Sequence, residues 1–228
     1  MCGRIATNFE VEDIQEEFKP DKLLADFSPR FNVAPSQEIP VIVHGSTVFD
    51  MYKWGLVPHW AKDAKSAMIN ARSETLLEKH WFRDAFLSMR CLILVSGFYE
   101  WDKAKNPHYI YLKDKKVFAL AGIANIWKSG EKSVKTCCIV TTEANEFMKE
   151  IHHRMPSMIS SEHYQDWINP KNKDLDFLQS LLIKPFSGKM AEHEVSKAVN
   201  TAANDSKEVL TKAEAQGKLG FELNPKRF

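Results

Sequence analysis

The sequence lacks the marks of membrane, zinc and dinucleotide-binding proteins. No apolar run approaches the roughly 20 residues that a membrane-spanning helix requires. Neither a CxxC pair nor a paired Cys/His spacing occurs, so we expect no metal and no other cofactor. The GxGxxG and P-loop motifs are missing too, which argues against a doubly wound nucleotide fold. Charged residues stand where a signal peptide would be apolar, and we expect a cytoplasmic protein, nucleoid-associated if bacterial.

Arginine is scarce, and the net charge is only +1. The whole surface is therefore not an obvious binder of polyanions. Only seven of the 31 basic residues are arginine, and four of them lie in or beside the motif segments discussed below: Arg4, Arg30, Arg72 and Arg154. Because guanidinium groups make forked contacts to phosphate, this distribution predicts a local anion site, with chance clustering as the alternative.

Hydrophobic patterning predicts one α+β domain over residues 1–228. Strands are expected over 2–7, 39–44, 47–54, 92–95, 108–112, 117–123, 134–142 and near 193–196. Helices are expected over 9–18 with Asn8 as cap, 74–86, 143–150, 161–168, 175–183 and 207–216, the last ending at Gly217. Most of the six to eight strands follow one another as hairpins, with a turn at Gly45 and Ser46. This order predicts a largely antiparallel curled sheet or open barrel surrounded by helices.

Cysteine is also rare, and one of the four stands apart. Cys91, Cys137 and Cys138 lie in apolar, strand-like runs and are typical of small buried hydrophobes. Cys2 follows the initiator Met1 directly, and loss of Met1 would leave an α-amine and a thiol on adjacent carbons. Their reference pKa values, about 7.7–8.0 and about 8.5, make both nucleophilic near neutral pH. Such a 1,2-aminothiol condenses with an aldehyde to a thiazolidine ring; an inert terminal residue is the alternative.

The segment 70–74 predicts the start of a helix, with Ser73 or Asn70 as its cap. Arg72 fits this position poorly, because a cation opposes the dipole at a helix N-terminus. We therefore expect Arg72 to meet an anion.

Glu100 and His152 are candidates for acid–base chemistry. Glu100 stands among three aromatic residues after an apolar run, where a carboxylate loses solvation; an exposed strand-end glutamate is the alternative. His152 and His153 precede Arg154, and adjacent side chains in an extended segment point to opposite faces. Catalytic use of one histidine is therefore favoured over a metal site, while a core or surface histidine stays open.

Two loop-like segments, 31–35 and 54–60, combine aromatic residues with proline. Aromatic faces stack on unpaired bases, and proline can wedge between them. We expect Asn32, Pro35 and Trp54 at a nucleic-acid surface, with core packing of the aromatic residues as the alternative.

Seven ordered motifs together resemble the SRAP family, whose members are called SOS response-associated peptidases or abasic site processing proteins. The motifs are MCGR, NVAP, WGLVP, NARSET, GFYEW, HHRMP and VNTAAND, and they extend from residue 2 to residue 205. Two positions depart from the family pattern. His153 stands where many relatives have Asp, and Ala203 stands where relatives often have a basic residue.

The resemblance implies a family fold with a curled antiparallel sheet, and it implies roles for individual residues. Cys2 would form a thiazolidine crosslink with an abasic site, Asn70 would hold the sugar and amine, Glu100 would transfer protons, and His152 would assist ring opening and reversal. The implied or expected DNA contacts are Arg4, Asn32, Pro35, Trp54, Arg72 and Arg154.

The resulting expectation is an enzyme that crosslinks abasic sites in single-stranded DNA, including those at junctions with double strands, and shields them from strand cleavage. We expect a monomer without a membrane partner. Two alternatives remain open: an N-terminal-cysteine peptidase or amidohydrolase, and a non-catalytic reader of single-stranded DNA.

Overall fold

The computed structural model describes residues 2–43, 48–63, 67–183, 186 and 188–213. In chain order the strands are β1 (Ile5–Thr7), β2 (Lys22–Leu23), β3 (Arg30–Val33), β4 (Glu38–Val43), β5 (Val48–Trp54), β6 (Asn70–Arg72), β7 (Arg90–Val95), β8 (Gly97–Trp101), β9 (Pro107–Leu112), β10 (Phe118–Ser129), β11 (Lys132–Glu143), β12 (Arg154–Pro156), β13 (Met158–Ile159) and β14 (Met190–Glu194). The helices are α1 (Val11–Phe18), α2 (His80–Ser88), α3 (Glu146–Lys149), α4 (Tyr164–Ile168) and α5 (Leu175–Ile183).

Five of these strands close into a barrel. β4 pairs with β5 and β7, and β10 pairs with β7 and β11, all antiparallel. The ring closes because β5 also runs parallel to β11, with Lys53 opposite Thr136. Gly122 of β10 permits this tight packing, since a Cβ atom there would lie 2.6 Å from Cys91 Sγ. The predicted α+β fold with a curled, largely antiparallel sheet is confirmed, although the barrel is closed and not open.

A second antiparallel sheet has the strand order β14-β9-β8-β1-β3. Alternate residues of the barrel strands enter two different cores, as the two-residue period of a strand dictates. On β7, Cys91 and Ile93 belong to an inner core that extends to the second sheet and includes Cys2. Leu92 and Leu94 point the other way, into an outer core formed with the helices. Cys2 therefore lies where the barrel meets the second sheet.

The local predictions were partly wrong. The first helix begins at Val11, and its N-cap is Glu10 and not Asn8. The Glu10 N–H donates a hydrogen bond to Asp13 Oδ2 at 2.9 Å. The helix expected over 74–86 is instead a 3-10 turn at Ser73–Thr75 followed by α2. In the segment 207–216, a 3-10 turn ends at Leu210, and residues from 214 onward lie outside the described part of the chain, as do Gly45, Ser46 and Gly217. Within the described ranges the chain forms 14 strands, more than the six to eight predicted.

The predicted burial of Cys91, Cys137 and Cys138 is confirmed, and all three side chains have no exposed surface. Among the residues described, no helix combines the length and the apolar character needed to cross a membrane.

Candidate active site

Cys2 lies buried between the barrel and the second sheet, with 0% of its surface exposed. Its carbonyl oxygen accepts a hydrogen bond of 2.8 Å from Asn70 Nδ2, which extends from β6 at the barrel. Its thiol lies 4.0 Å from the carbonyl oxygen of Arg4. The segment before β1 is thus held by both sheets at once.

Glu100 reaches the same place from β8. β1 pairs with β8 through Ile5 and Phe98, and the Tyr99 N–H continues the pairing by donating to the Arg4 carbonyl at 2.9 Å. Glu100 is 3% exposed. Burial raises the pKa of the Cys2 thiol well above its usual range, and the nearby carboxylate of Glu100 raises that pKa further. Both effects favour the protonated thiol over the thiolate.

β11 brings the two remaining motifs of the site together. It pairs with β6 on one side, placing Thr141 opposite Arg72, and with β12 on the other, placing Thr141 opposite Pro156. Asn70 and Arg154 therefore lie on strands that flank β11. The Oδ1 atom of Asn70 is buried and has no hydrogen-bond partner among the described residues. An orphaned buried acceptor is costly, and it is the kind of atom that a bound ligand satisfies.

His152 precedes β12 and is half-buried. Its Nδ1 atom lies 3.0 Å from the Arg154 N–H and 3.1 Å from the Arg154 carbonyl oxygen. Because an amide N–H can only donate, the first contact suits an unprotonated Nδ1, whereas the carbonyl suits an Nδ1 that carries a proton. The backbone of Arg154 thus offers His152 Nδ1 both a donor and an acceptor.

The surface beside His152 is locally cationic. The rings of His152 and exposed His153 stack with centroids 4.3 Å apart, so the expectation that they point to opposite faces is wrong; neither residue belongs to a strand, since β12 begins at Arg154. The pKa of His153 is lowered, first by the charge of His152, and also by loss of solvent and by the charges of Arg154 and Arg72. The Arg72 side chain is exposed, and no hydrogen bond or ion pair joins it to another described residue.

Arg154, by contrast, is committed to the protein. Its guanidinium group makes two hydrogen bonds to Glu74, of 2.6 and 3.0 Å, and one of 2.7 Å to the Thr141 carbonyl. Burial acts to raise the pKa of Glu74, but the hydrogen bonds from Arg154 hold it below its ordinary value. In this structure the exposed carboxylate of Glu74 therefore occupies the guanidinium group that was expected to contact phosphate. This pair also explains why residues 73–75 form a short turn.

Arg4 and Asn32 also form hydrogen bonds within the protein. Arg4 Nη1 donates to Asn32 Oδ1 at 2.6 Å and to the Val199 carbonyl. Asn32 is 0% exposed, and its Nδ2 atom lies within 3.1 Å of the carbonyl oxygens of Val199, Thr201 and Asn204. The expected DNA contact of Asn32 is blocked by this burial. The sequence did not indicate these hydrogen bonds, because the partners of Arg4 and Asn32 lie in a distant motif.

Asp205 completes this clamp, which we define as Arg4, Asn32, residues 199–204 and Asp205. Its carboxylate accepts hydrogen bonds from Arg30 Nε at 2.7 Å and from the N–H groups of Phe31 and Asn32 at 2.6 and 2.8 Å. The motif VNTAAND thus ties the chain after β14 to β3. Arg30, noted for phosphate recognition, pairs with this carboxylate instead.

Trp54 and Pro35 differ in their surroundings. Trp54 is 0% exposed in the inner core, and its Nε1 donates to the Ile69 carbonyl at 2.9 Å, so its faces cannot stack on a base in this conformation. Pro35 is half-buried in a turn and stays a surface candidate. Trp60 belongs to the segment 54–60 noted in the sequence, whereas Trp81 was not singled out there. Their exposed rings meet edge to face with centroids 4.9 Å apart.

Known proteins resemble this chain along most of its length. A Bacillus subtilis (strain 168) protein named abasic site processing protein YoqW is 43% identical over 221 residues, covering 92% of this chain and 99% of that protein. The Gallus gallus protein named abasic site processing protein HMCES is 30% identical over 272 residues, covering 94% and 78%. A crystal structure of a Bacteroides thetaiotaomicron protein superposes with a TM-score of 0.82 at 25% identity, covering 93% of this chain and all of that one.

The family model described as SOS response associated peptidase (SRAP) matches residues 1–202. These residues contain Cys2, Asn70, Glu100 and His152. The chain belongs to the SRAP family.

Proposed function

We propose that this chain processes abasic sites in single-stranded DNA by forming a thiazolidine crosslink through Cys2. The carrying observation is the position of Cys2, whose carbonyl is anchored by Asn70 while its thiol lies near the Glu100 carboxylate. The names of the Bacillus subtilis and Gallus gallus relatives support abasic sites as the lesion. The finer chemistry follows from the residues themselves.

The reaction requires removal of Met1, which frees the α-amine of Cys2. The amine attacks the C1′ aldehyde of the ring-opened sugar, and the resulting carbinolamine loses water to give a Schiff base. The thiol sulfur then adds to the same carbon while its proton passes to a base, and the imine nitrogen takes up a proton. The sum is aldehyde plus aminothiol giving thiazolidine and one water, with no change of oxidation state.

Glu100 serves as the proton acceptor for the thiol. Because burial keeps the pKa of the Cys2 thiol high, the thiolate does not form before the substrate arrives. A protonated Schiff base places positive charge beside the sulfur, which favours its deprotonation toward Glu100. The order of steps, amine first and sulfur second, follows from this electrostatic coupling.

Asn70 and His152 act on the two reactants, Cys2 and the abasic sugar. The Asn70 amide fixes the Cys2 carbonyl, and its buried Oδ1 is left to accept a hydrogen bond from the α-amine or the sugar hydroxyl. His152, whose Nδ1 faces the backbone of Arg154, exchanges a proton with the sugar during ring opening and during reversal. Positioning of this kind converts a slow bimolecular condensation into a reaction between aligned groups.

We assign DNA binding to the locally cationic surface around Arg72. Arg72 has no competing partner among the described residues, whereas Arg4 and Arg154 hold internal oxygens. With a net charge of +1, general affinity for DNA is expected to be low and lesion-focused. Trp60 and Trp81 offer exposed rings for stacking of unpaired bases.

The test compares two oligonucleotides that differ only at the lesion. Single-stranded DNA with a natural abasic site should give a band of lower mobility on a denaturing gel, while the same strand with a tetrahydrofuran analogue, which has no aldehyde, should give none. Acetylation of the Cys2 α-amine should abolish the band. Equal bands from both oligonucleotides, or turnover of an amide substrate without any DNA adduct, would overturn the proposal in favour of another use of Cys2.

A further inference from the structure

His108 lies directly across from Glu100. The two residues are opposed in the antiparallel pairing of β8 and β9. Directly opposed side chains in such a pair project from the same face, with Cβ atoms roughly 4.5–5.5 Å apart. His108 is thus a neighbour of the carboxylate that the proposed crosslink reaction uses, although no motif of the family contains it.

Three further carboxylates surround His108. Its Nδ1 lies 2.7 Å from Glu192 Oε2, and its Nε2 lies 3.7 Å from Asp102 Oδ2. Glu194 stands directly opposite His108 in the pairing of β9 and β14. The imidazole side chain is only 16% exposed, so these charges act through a partly dry environment. The pKa of Asp102 is lowered, chiefly by the Asn106 N–H and additionally by His108.

In the described part of the chain, no group of three or more ligating side chains is arranged to hold a metal ion. On the second sheet, His108 stands opposite Glu100, and Asp102, Glu192 and Glu194 lie around His108; the N-terminal segment adds Cys2, on whose thiol the charge of Glu100 acts. From the barrel, the ionisable side chains of the site are Arg72, His152, His153 and Arg154. His108 is the cation of the second sheet within this group.

We propose that His108 is a positioning residue that keeps Glu100 in its carboxylate form. Below neutral pH an imidazole carries a positive charge. That charge offsets Asp102, Glu192 and Glu194, whose combined negative charge would otherwise favour protonation of Glu100. Glu100 then stays able to accept the thiol proton. The inference rests on the proposed function, because the role of Glu100 belongs to it.

The experiment measures the crosslinking rate against pH for matched variants. In His108→Asn, which removes the charge, the acid limb of the profile should move up by about 1 pH unit. His108→Lys, which keeps a charge, should leave the limb near the wild-type position. Glu192→Gln, which removes a carboxylate, should move the limb the opposite way. His163→Asn is the control, because His163 also pairs with a carboxylate, Asp166 at 3.0 Å, but lies away from β8 and β9.

A carbon-13 titration of the Glu100 carboxyl group separates this inference from the proposed function. Its midpoint should shift in the same directions whether or not DNA is present. Unchanged midpoints in His108→Asn and Glu192→Gln would overturn the inference even if the wild type crosslinks DNA. Midpoints that shift in these variants, together with a wild type that forms no adduct, would support the coupling and overturn the proposed function. If His108→Asn fails to fold, His108→Gln, which also removes the charge, takes its place with the same expected shift.

Discussion

Two asparagines, the buried Asn32 and the half-buried Asn70, stand in motifs of the same family and make different contacts. Asn32 Nδ2 faces three carbonyl oxygens, and Asn32 Oδ1 accepts a hydrogen bond from Arg4. Both ends of this amide are therefore hydrogen-bonded within the protein. Asn70 donates once, to the Cys2 carbonyl, and its buried Oδ1 has no partner among the described residues. Satisfied polar groups stabilise a fold, while an unsatisfied one beside reactive atoms marks a place for a ligand. The contrast separates the clamp from the candidate active site.

The largest effect should come from Cys2 itself. Cys2→Ser keeps the α-amine but removes the sulfur, so a Schiff base can form while the stable thiazolidine cannot. The heat-stable adduct should fall by at least about 100-fold, and borohydride should trap an imine in its place. Cys138→Ala, which changes a buried cysteine in the outer core, is the matched control and should crosslink as the wild type does.

Removal of the proton acceptor should come next. Glu100→Gln preserves the shape of the side chain but cannot take the thiol proton, so the crosslinking rate should drop by about 10²-fold to 10³-fold. Rapid-quench gels against time would measure it. A Glu100→Gln protein that reacts at the wild-type rate would show that the thiol proton leaves by another route.

A pair of alanine variants tests whether Asn32 and Asn70 have different roles. Asn70→Ala should slow crosslinking by roughly 10-fold to 100-fold with little loss of thermal stability. Asn32→Ala should destabilise the fold by about 1–3 kcal/mol, because several buried carbonyls lose their donor, and should slow crosslinking little at temperatures where it is folded. Melting curves and crosslinking rates for both variants would decide, and the reverse pattern would refute the assignment of the two roles.

Arg72 should affect DNA binding more than chemistry. Arg72→Gln should weaken binding of single-stranded DNA several-fold and reduce the slope of log affinity against log salt by about 1. Arg83→Gln is the control, since Arg83 is exposed on α2 and not part of the site. Equal losses for the two variants, measured by anisotropy over a salt series, would mean that the cationic surface is not specific.

The clamp should be sensitive to acid. Burial opposes ionisation of Asp205, but hydrogen bonds from Arg30, Phe31 and Asn32 hold its pKa below the ordinary value. A carboxylate with a lowered folded-state pKa stabilises the fold above its unfolded pKa of about 3.9, and this stability is lost as pH falls through the folded value. Asp205→Asn should lower the Tm at pH 7, and the difference from wild type should shrink below pH 4. A difference that is independent of pH would exclude the ionic contribution.

The sequence predicted the fold class better than its closure. Alternating strands in hairpin order indicate an antiparallel sheet, and the structure confirms this arrangement. The parallel contact of Lys53 with Thr136 joins segments far apart in the chain, and nothing local signals it. The helix expected from residue 74 failed for a similar reason, since Arg154 holds Glu74 in a short turn.

The candidate site was predictable through the order of its motifs. The structure brings Cys2, Asn70 and Glu100 together, while their catalytic roles and that of His152 stay predictions. The internal partners of Arg4, Asn32, Trp54 and Arg154 were not predictable, because residue type alone does not tell whether a polar group meets a ligand or a distant backbone. His108 escaped notice because only strand register places it beside Glu100.

The central claim is tested most directly by the intact mass of the protein after incubation with single-stranded DNA that carries one abasic site. If Cys2 forms the thiazolidine, the spectrum should show a protein without Met1 and an adduct whose mass is protein plus oligonucleotide minus one water. An adduct that retains Met1, or an equally stable adduct formed by Cys2→Ser, would contradict it.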